Sequence, residues 1–558
     1  MKLSLLALLL LSCQVFAASP EAVYGENGMV TSRSALASEV GVEIMRGGGN
    51  AVDAAVATAF ALAVTYPSAG NIGGGGFVVV RLVTGEVVTL DHRERAPMSA
   101  SRDMYLDDEG NVVQGLSTRS HKAVGVPGSV DGLLTLLETH GTLNRRKVIQ
   151  PAINLARRGF PLTYDLARQF ASVLTRMNSY PASLDKFSNR GKPYSPGDIW
   201  KQPDLAKTLQ RIMSRGSSGF YDGPVGALIV EEMQRNNGNI AAADLANYRS
   251  VWRDPVQGTY RGYEVWGMGP PSSGGVLVIQ ILNMLESYDL GAMGYGSGAV
   301  IHHMVEAERR AYADRAEHLG DPDHYEVPIA MLIDKQYARA RFADFDPDLA
   351  SESSDIDAGQ WVKESPETTH FSVMDRDGMM VSFTTTLNSA YGSKIVVPGT
   401  GILLNNEMND FSIKQNTPNQ FQLIGRVANA IEPGKRMLSS MSPTIVTKDG
   451  EPFMITGSPG GSTIITTALQ VIVNVIDHGM GIGDAVSLPR FHHQWLPDRI
   501  LHDAFAISPD TRVKLNEMGH RNIVQSSRGI GDANSILYRD GTMRGIKDPR
   551  GDGAAIGF

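Results

Sequence analysis

Thr368 stands at the start of a predicted β-hairpin, where its hydroxyl could act as a nucleophile. It precedes the run Thr369-His370-Phe371-Ser372, and the turn Arg376-Asp377-Gly378 separates this run from residues 379–386. Asp-Gly between two apolar runs predicts a hairpin. A threonine hydroxyl needs a base, and cleavage of the bond between Glu367 and Thr368 would free an α-amine that could serve as that base. The alternative is an ordinary threonine that opens a strand.

The loop Gly457-Ser458-Pro459-Gly460-Gly461-Ser462 could form an oxyanion hole. It lies between a predicted strand, Phe453–Thr456, and a helix that begins near Ser462. Two consecutive glycines before a helix can aim two backbone N–H groups at one point. Ser458 does not fit the Gly-x-Ser-x-Gly pattern of serine hydrolases. The alternative is a glycine-rich turn with no catalytic function.

Three further segments carry groups that could hold a charged substrate. Arg93 ends a strand and could bind a carboxylate through two hydrogen bonds, or simply pair with the adjacent glutamate. Glu407 and Asp410 could bind an ammonium, although such polar clusters are commonly loop surface. Ser439 and Ser440 offer two hydroxyls ahead of a strand, where a capped turn is the alternative.

Other polar motifs favour structural roles. Gly73-Gly74-Gly75-Gly76 lacks the Lys-Ser/Thr of a phosphate loop and leads into a strand, so it indicates close backbone packing. His302-His303 and His492-His493 are adjacent pairs whose side chains point in different directions on a helix, without a carboxylate at a typical metal-site spacing. We therefore expect neither a nucleotide, nor a cofactor, nor a metal.

The elements that must position these groups form an α+β pattern. Hairpins are predicted from Gly76 to Leu90 and around Asp377-Gly378, Asp449-Gly450 and Asp540-Gly541. Strand runs with covering helices indicate a layered architecture, with sheet packed on sheet or helix on sheet. The predicted helices are Ser34–Met45, one capped by Asn50 that ends before Pro67, Ser129–His140, Lys147–Arg158, Gly274–Leu285, Ala299–His318 and Ser462–Ile476.

Length and composition set outer bounds. The 558 residues exceed the usual size of a single core, which predicts two or more domains. An apolar content of 42% and a charged content of 20% are typical of soluble globular proteins. The formal charge of −8 without a basic run argues against a nucleic-acid partner.

Residues 1–17 have the pattern of an export signal, which predicts a periplasmic or secreted protein. Lys2 precedes the short apolar stretch Leu3–Leu11 and the cleavage pattern Val15-Phe16-Ala17. No later segment has the roughly 18 apolar residues of a membrane span. Cys13, the single cysteine, would be removed with the signal. The alternative is a lipid anchor on Cys13, since residues 10–13 loosely resemble a lipoprotein box.

In their order along the chain, the motifs resemble those of bacterial gamma-glutamyltransferases, which belong to the N-terminal-nucleophile hydrolase superfamily. The resemblance runs from about residue 22 to the C-terminus. It is carried by residues 71–77 (NIGGGGF), 91–97 (DHRERAP), 270–275 (PPSSGG), 311–315 (AYADR), 368–370 (TTH), 401–406 (GILLNN), 439–444 (SSMSPT) and 457–462 (GSPGGS).

The resemblance implies a precursor that cuts itself between Glu367 and Thr368. Its parts would be the signal 1–17, a large subunit 18–367 and a small subunit 368–558. It also implies a four-layer αββα sandwich with one core shared by both subunits. In that case the expectation of independent domains, drawn from length alone, would be wrong.

The resemblance also implies a role for each site residue. Thr368 matches the nucleophile, Thr386 the second threonine that bonds to it, and Gly460 and Gly461 the oxyanion hole. The residues that match the substrate-binding groups are Arg93, Ser439 and Ser440 for the α-carboxylate and Asn388, Glu407 and Asp410 for the α-amine. The implied reaction is cleavage of γ-glutamyl amides such as glutathione, with transfer of the acyl group to water or to an amino acid or peptide.

Two departures and three alternatives accompany this prediction. Residues 415–426 match a loop that covers the site in some members, and Phe421 replaces a hydroxyl-bearing aromatic residue found in some relatives. Glu407 stands where glutamine can occur. The same-fold alternative is a cephalosporin or glutaryl amide acylase, but retention of Asp410 favours γ-glutamyl substrates. A non-catalytic binder and a metal-dependent amidase are the alternatives from other classes.

Overall fold

Two antiparallel sheets of seven strands each lie face to face in the computed structural model, which describes residues 19–357, 368–414, 420 and 426–558. The first sheet runs in the order Ala554–Gly557, Gly28–Ser32, Thr369–Asp375, Met380–Thr386, Gly75–Arg81, Val87–Asp91 and Val251–Arg253. The second runs in the order Val23–Gly25, Thr542–Ile546, Ser535–Arg539, Glu451–Thr456, Thr444–Lys448, Tyr263–Gly267 and Val256–Tyr260.

Apolar side chains from both sheets fill the space between them. Met374 and Phe77 from the first sheet pack in one cluster with Ile445 and Ile455 from the second. Successive side chains of a strand point to opposite faces, so Phe371 and Val373 lie instead in the cluster on the outer face of the first sheet. Each sheet is therefore buried on both faces.

Helices cover both outer faces and complete a four-layer αββα arrangement. On the first sheet, the apolar cluster is built by Ala35–Arg46, Ala51–Thr65, Ser129–His140, Arg145–Arg158, Tyr164–Met177 and Pro203–Arg215, together with the shorter helices Pro181–Phe187 and Pro224–Arg235. On the second sheet, it is built by Gly274–Leu285, Gly298–His318, Thr463–Ile476, Ile482–Ser487 and Pro509–Glu517. The fold class predicted from the resemblance is confirmed.

Local signals explain where the elements begin and turn. Asn50 accepts a hydrogen bond from the Asp53 N–H while the Asp53 carboxylate accepts one from the Asn50 N–H, a capping box that starts Ala51–Thr65. The three Asp-Gly turns each join paired antiparallel strands, as predicted. The predicted helices are present, with their ends shifted by up to two residues.

Residues before Thr368 and residues after it both contribute strands to the first sheet. Thr369–Asp375 lies between Gly28–Ser32 and Met380–Thr386, and the latter pairs with Gly75–Arg81. The expectation of independent domains from chain length is therefore wrong, because neither portion can complete this sheet alone. Among the described helices, none is long and apolar enough to cross a membrane.

Candidate active site

Thr368 lies immediately before the strand Thr369–Asp375 in the middle of the first sheet. It is 6% exposed, and its Oγ1 lies 3.4 Å from Oγ1 of Thr386 on the adjacent strand. The pairing of Thr369 with Thr385 sets this approach, since it brings the ends of the two hairpin strands together. The structure thus places two threonine hydroxyls within reach of each other.

The turn after Thr386 fixes its hydroxyl. The N–H of Asn388 donates to Thr386 Oγ1 at 2.8 Å, with Asn388 in the left-handed region at a φ of +74°. Asn71 Nδ2 donates to the Thr386 carbonyl at 2.8 Å. The hydrogen bonds from Asn388 and Asn71 therefore hold Thr386 in place, with its Oγ1 directed toward Thr368.

Gly460 and Gly461 form the tight turn that precedes the helix Thr463–Ile476. Their φ values of +138° and +58° favour glycine, and a Cβ at Gly460 would lie 2.3 Å from Thr463 Oγ1. Neither N–H donates a hydrogen bond to another described residue. Amide groups in a turn at a helix N-terminus can stabilise developing negative charge, as the sequence pattern predicted.

Arg93 is fully buried among three carboxylates. Its guanidinium pairs with Glu407, lies 2.6 Å from an oxygen of Asp410 and 3.6 Å from one of Glu94. Burial alone would lower the pKa of Arg93, but Glu407 and Asp410 outweigh it and raise that pKa. Burial raises the pKa of Glu407 and of Asp410, and the charge of Arg93 opposes both shifts.

Several buried oxygens at this end of the site, including both carboxylate oxygens of Glu94, lack a donor among the described residues. Glu407 Oε2 and Asn388 Oδ1 have no hydrogen-bond partner among the described residues. A buried acceptor without a donor is costly, and a charged N–H donor would satisfy both atoms. These acceptors therefore fit a ligand ammonium group as the donor.

Arg315, to which the sequence motifs assigned no role, lies in the site. This side chain of the helix Gly298–His318 is 4% exposed, and it donates to Ser440 Oγ at 3.2 Å and to Ser273 Oγ at 2.9 Å. Ser439 Oγ accepts from the Met441 N–H at 3.1 Å. Only the motif of residues 311–315 pointed to Arg315, since a buried helix gives no local signal for one functional arginine.

These residues line one small cavity of about 300 Å³, including its mouth. Its walls contain Arg93, Arg315, Thr368, Thr386, Asn388, Glu407, Asp410, Ser439, Ser440, Met441, Gly461 and Ile464. The structure therefore collects every predicted site residue in the described part of the chain here, except Gly460, which lines an adjoining cavity with Thr368. Glu367 lies outside the described residues, as do residues 415–419 and 421–425 with Phe421.

The remaining motifs have structural explanations. A Cβ at Gly73, Gly74 or Gly76 would lie within 2.3 Å of a backbone carbonyl oxygen, in agreement with close packing. His302, Glu306 and His520 lie close together, a grouping that sequence spacing did not predict. Both nitrogens of His302 have partners, His520 and a backbone carbonyl, and Arg309 and Arg310 pair with Glu306. The polar atoms of this group are therefore bonded to protein groups, which favours a structural role.

The sequence pattern of the family described as gamma-glutamyltranspeptidase matches residues 37–558. The chain belongs to the gamma-glutamyltranspeptidase family. It is 46% identical to the glutathione hydrolase proenzyme of Escherichia coli, over 98% of this chain and 97% of that protein. The resemblance inferred from the motifs is therefore confirmed, and the chain is an enzyme of this family.

Solved structures agree with the fold. A cephalosporin acylase from Bacillus halodurans superimposes with a TM-score of 0.86 at 27% identity, covering 99% of both chains. A chain of the gamma-glutamyltranspeptidase from Helicobacter pylori matches with a TM-score of 0.58 at 46% identity, covering 62% of this chain and 97% of its own. The αββα sandwich is thus shared with both a transpeptidase and an acylase.

Proposed function

We propose that this gamma-glutamyltranspeptidase cuts its own chain between Glu367 and Thr368 and then cleaves the γ-glutamyl amide of glutathione and related compounds. The acyl group passes to water or to the amine of an amino acid or peptide. The naming of the Escherichia coli relative as a glutathione hydrolase proenzyme supports both the substrate and the processing.

One observation carries the substrate assignment. A single cavity holds the Thr368 hydroxyl together with a buried cation, Arg93, and with carboxylates that include Glu407 and Asp410. A γ-glutamyl group is a zwitterion at one end and an amide at the other, so it needs charged groups of both signs beside a nucleophile.

The chemical steps follow from the positions. The freed α-amine of Thr368 takes the proton of Oγ1, which attacks the amide carbon; the leaving amine receives the proton as the C–N bond breaks. The N–H groups of Gly460 and Gly461 stabilise the negative oxygen of the tetrahedral intermediate. Water or an acceptor amine then breaks the ester and restores the Thr368 hydroxyl.

We assign the charged groups to the two ends of the substrate zwitterion. Asn388, Glu407 and Asp410 hold the α-ammonium, supported by the unpartnered oxygens of Asn388 and Glu407. Ser439 and Ser440 hold the α-carboxylate together with Arg93, and Arg315, which donates to Ser440, adds a second cation there.

The mature enzyme would consist of residues 18–367 and 368–558, exported by the signal 1–17 to the periplasm or the medium, with a lipid anchor on Cys13 as the alternative. The Helicobacter pylori chain covers a share of this chain close to that of residues 18–367, as expected for a separate large subunit. Residues 1–17 lie outside the described residues.

Hydrolysis of γ-glutamyl-p-nitroanilide by the purified enzyme tests the proposal. We expect release of p-nitroaniline, abolished by Thr368→Ala. The second candidate is an amide acylase, which the likeness to the Bacillus halodurans acylase favours. Equal turnover of a glutaryl amide, which lacks the α-amine, would support the acylase and contradict the γ-glutamyl assignment.

A further inference from the structure

A second cavity also reaches Thr368, and arginines dominate its walls. It has a volume of about 700 Å³ and includes Thr368 and Gly460 in its lining. It continues into a larger cavity of about 1820 Å³, including its open mouth, because Arg33, Arg528 and Arg550 line both. We call these two connected cavities the basic groove.

The basic groove concentrates positive charge in a chain whose net charge is −8. Only Asp165 and Asp532 among its lining residues are acidic. Its cationic residues are Arg33, Arg119, Arg168, Arg176, Lys394, Arg528 and Arg550. A cleft lined by one sign of charge attracts ligands of the opposite sign and raises their local concentration.

Internal ion pairs balance only part of this charge. Arg550 pairs with Asp503 and Asp548, and Arg168 pairs with Asp165. In contrast, three exposed arginines of the groove form no ion pair with any described carboxylate, namely Arg119, Arg176 and Arg528. The groove therefore presents uncompensated cations to solvent along its length.

Resting on the proposed function, we propose that the basic groove binds the leaving group and the acceptor, and that this second substrate is a peptide with several carboxylates. The leaving amine and the incoming amine bond to the same carbonyl carbon, so they share one approach to Thr368. The small cavity with Arg93 holds the γ-glutamyl group. The basic groove is therefore available for the leaving group or the acceptor.

The transfer step is balanced without a further reactant. The acceptor nitrogen attacks the carbonyl carbon of the Thr368 ester, and the bond from that carbon to Oγ1 breaks. One proton of the acceptor amine passes to Oγ1. The products are the new γ-glutamyl amide and the free Thr368 hydroxyl.

The distribution of charge in the basic groove favours a peptide over a single amino acid. Its three arginines without an ion pair, Arg119, Arg176 and Arg528, come from separate segments of the chain. A peptide with acidic side chains offers several carboxylates to such a surface, whereas a neutral amino acid offers only its α-carboxylate.

Transfer from γ-glutamyl-p-nitroanilide to the tripeptides Ala-Glu-Glu and Ala-Gln-Gln tests this inference. We expect kcat/KM for the acidic acceptor to be about tenfold higher at low salt, and this preference to shrink at high ionic strength. The combined substitution Arg119→Gln, Arg176→Gln and Arg528→Gln should remove the preference. Hydrolysis of the donor without acceptor should continue, because p-nitroaniline, the leaving group, carries no carboxylate and none of the three residues lines the γ-glutamyl cavity.

A matched control neutralises three exposed arginines elsewhere, with Arg146→Gln, Arg157→Gln and Arg339→Gln, and it should keep the preference. Equal use of the two acceptors by the wild-type enzyme would overturn the inference, as would a groove variant that still prefers Ala-Glu-Glu. In both of these cases donor hydrolysis would continue. Failure of the wild-type enzyme to hydrolyse the donor would instead refute the proposed function, and the inference with it.

Discussion

The hydroxyl oxygens of Thr368 and Thr386 lie 3.4 Å apart at the open end of one hairpin, and the Asn388 N–H holds the second of them at 2.8 Å. A hydroxyl that can rotate freely contributes little to orienting a nucleophile. Here the backbone amide of Asn388 fixes the oxygen of Thr386, so the partner of the nucleophile is preorganised before substrate binds.

Thr386→Ala should therefore slow both self-cleavage and donor hydrolysis by about 10- to 100-fold, because the nucleophile loses one positioned hydrogen-bond partner. Thr386→Ser retains the hydroxyl and should restore most of both rates. Single-turnover rates and the cleaved fraction on a gel measure the two effects. Full activity of Thr386→Ala would show that the bond to Thr368 has no catalytic role.

Gly461→Ala should lower kcat by about 10²- to 10³-fold, because a displaced turn moves the N–H groups that stabilise the oxyanion. The control is Gly450→Ala, which imposes a similar left-handed strain at a φ of +79° at the far end of the preceding strand, where a Cβ meets no other atom. That variant should lose some stability and keep kcat. Equal kcat losses in the two variants would attribute the effect to strain alone.

Asp410→Asn should weaken recognition of the substrate α-amine. The loss of one charged partner predicts a roughly tenfold to hundredfold fall in kcat/KM for γ-glutamyl donors. The asparagine oxygen can still accept from Arg93, so turnover of a glutaryl amide without the α-amine should fall much less. Parallel losses on both donors would mean that Asp410 supports Arg93 and does not contact the amine.

The pH dependence of donor choice should report the buried carboxyls. Burial raises the pKa of Glu94 to about 7 and raises the pKa values of Glu407 and Asp410, while Arg93 opposes these shifts. As the pH falls through about 7, Glu94 takes up a proton, and the loss of its negative charge beside Arg93 weakens the attraction of this buried carboxyl cluster for an ammonium. The ratio of kcat/KM for γ-glutamyl over glutaryl donors should therefore fall.

Protonation of the Thr368 amine lowers kcat/KM for both donors equally. It therefore cancels in the ratio of the two kcat/KM values. A pH-independent ratio would show that the carboxylates stay charged over this range or do not bind the amine. The same measurement on Asp410→Asn should move the fall in the ratio to lower pH, because the charge of Asp410 is one cause of the raised pKa of Glu94.

Local chemistry made much of the fold predictable. Asn50 followed by Asp53 three residues later is a complete helix-start signal, and Asp-Gly between apolar runs fixes a hairpin. The approach of Thr368 to Thr386 follows from such a hairpin, since both residues flank its paired strands. The hairpin signal therefore predicts that Thr368 and Thr386 lie close together, whereas their roles as nucleophile and partner were implied only by the family resemblance.

Long-range contacts could not be predicted in the same way. Arg93 meets Glu407 and Asp410 across separations of 314 and 317 residues, and no periodicity encodes that pairing. The basic groove combines residues as distant as Arg176 and Arg528, each unremarkable in its own segment. The family resemblance placed Arg93, Glu407 and Asp410 in one site. The basic groove, in contrast, was recognised only from the structure.

Intact mass with N-terminal identification of each species, for the wild-type enzyme and for Thr368→Ala, decides whether self-cleavage makes Thr368 an N-terminal nucleophile. We expect two wild-type fragments, one of which begins at Thr368, and a single uncut, inactive chain for Thr368→Ala. A Thr368→Ala protein that is cut and turns over γ-glutamyl donors would rule out Thr368 as the nucleophile. So would an uncut wild-type chain that hydrolyses them, because its Thr368 would have no free amine.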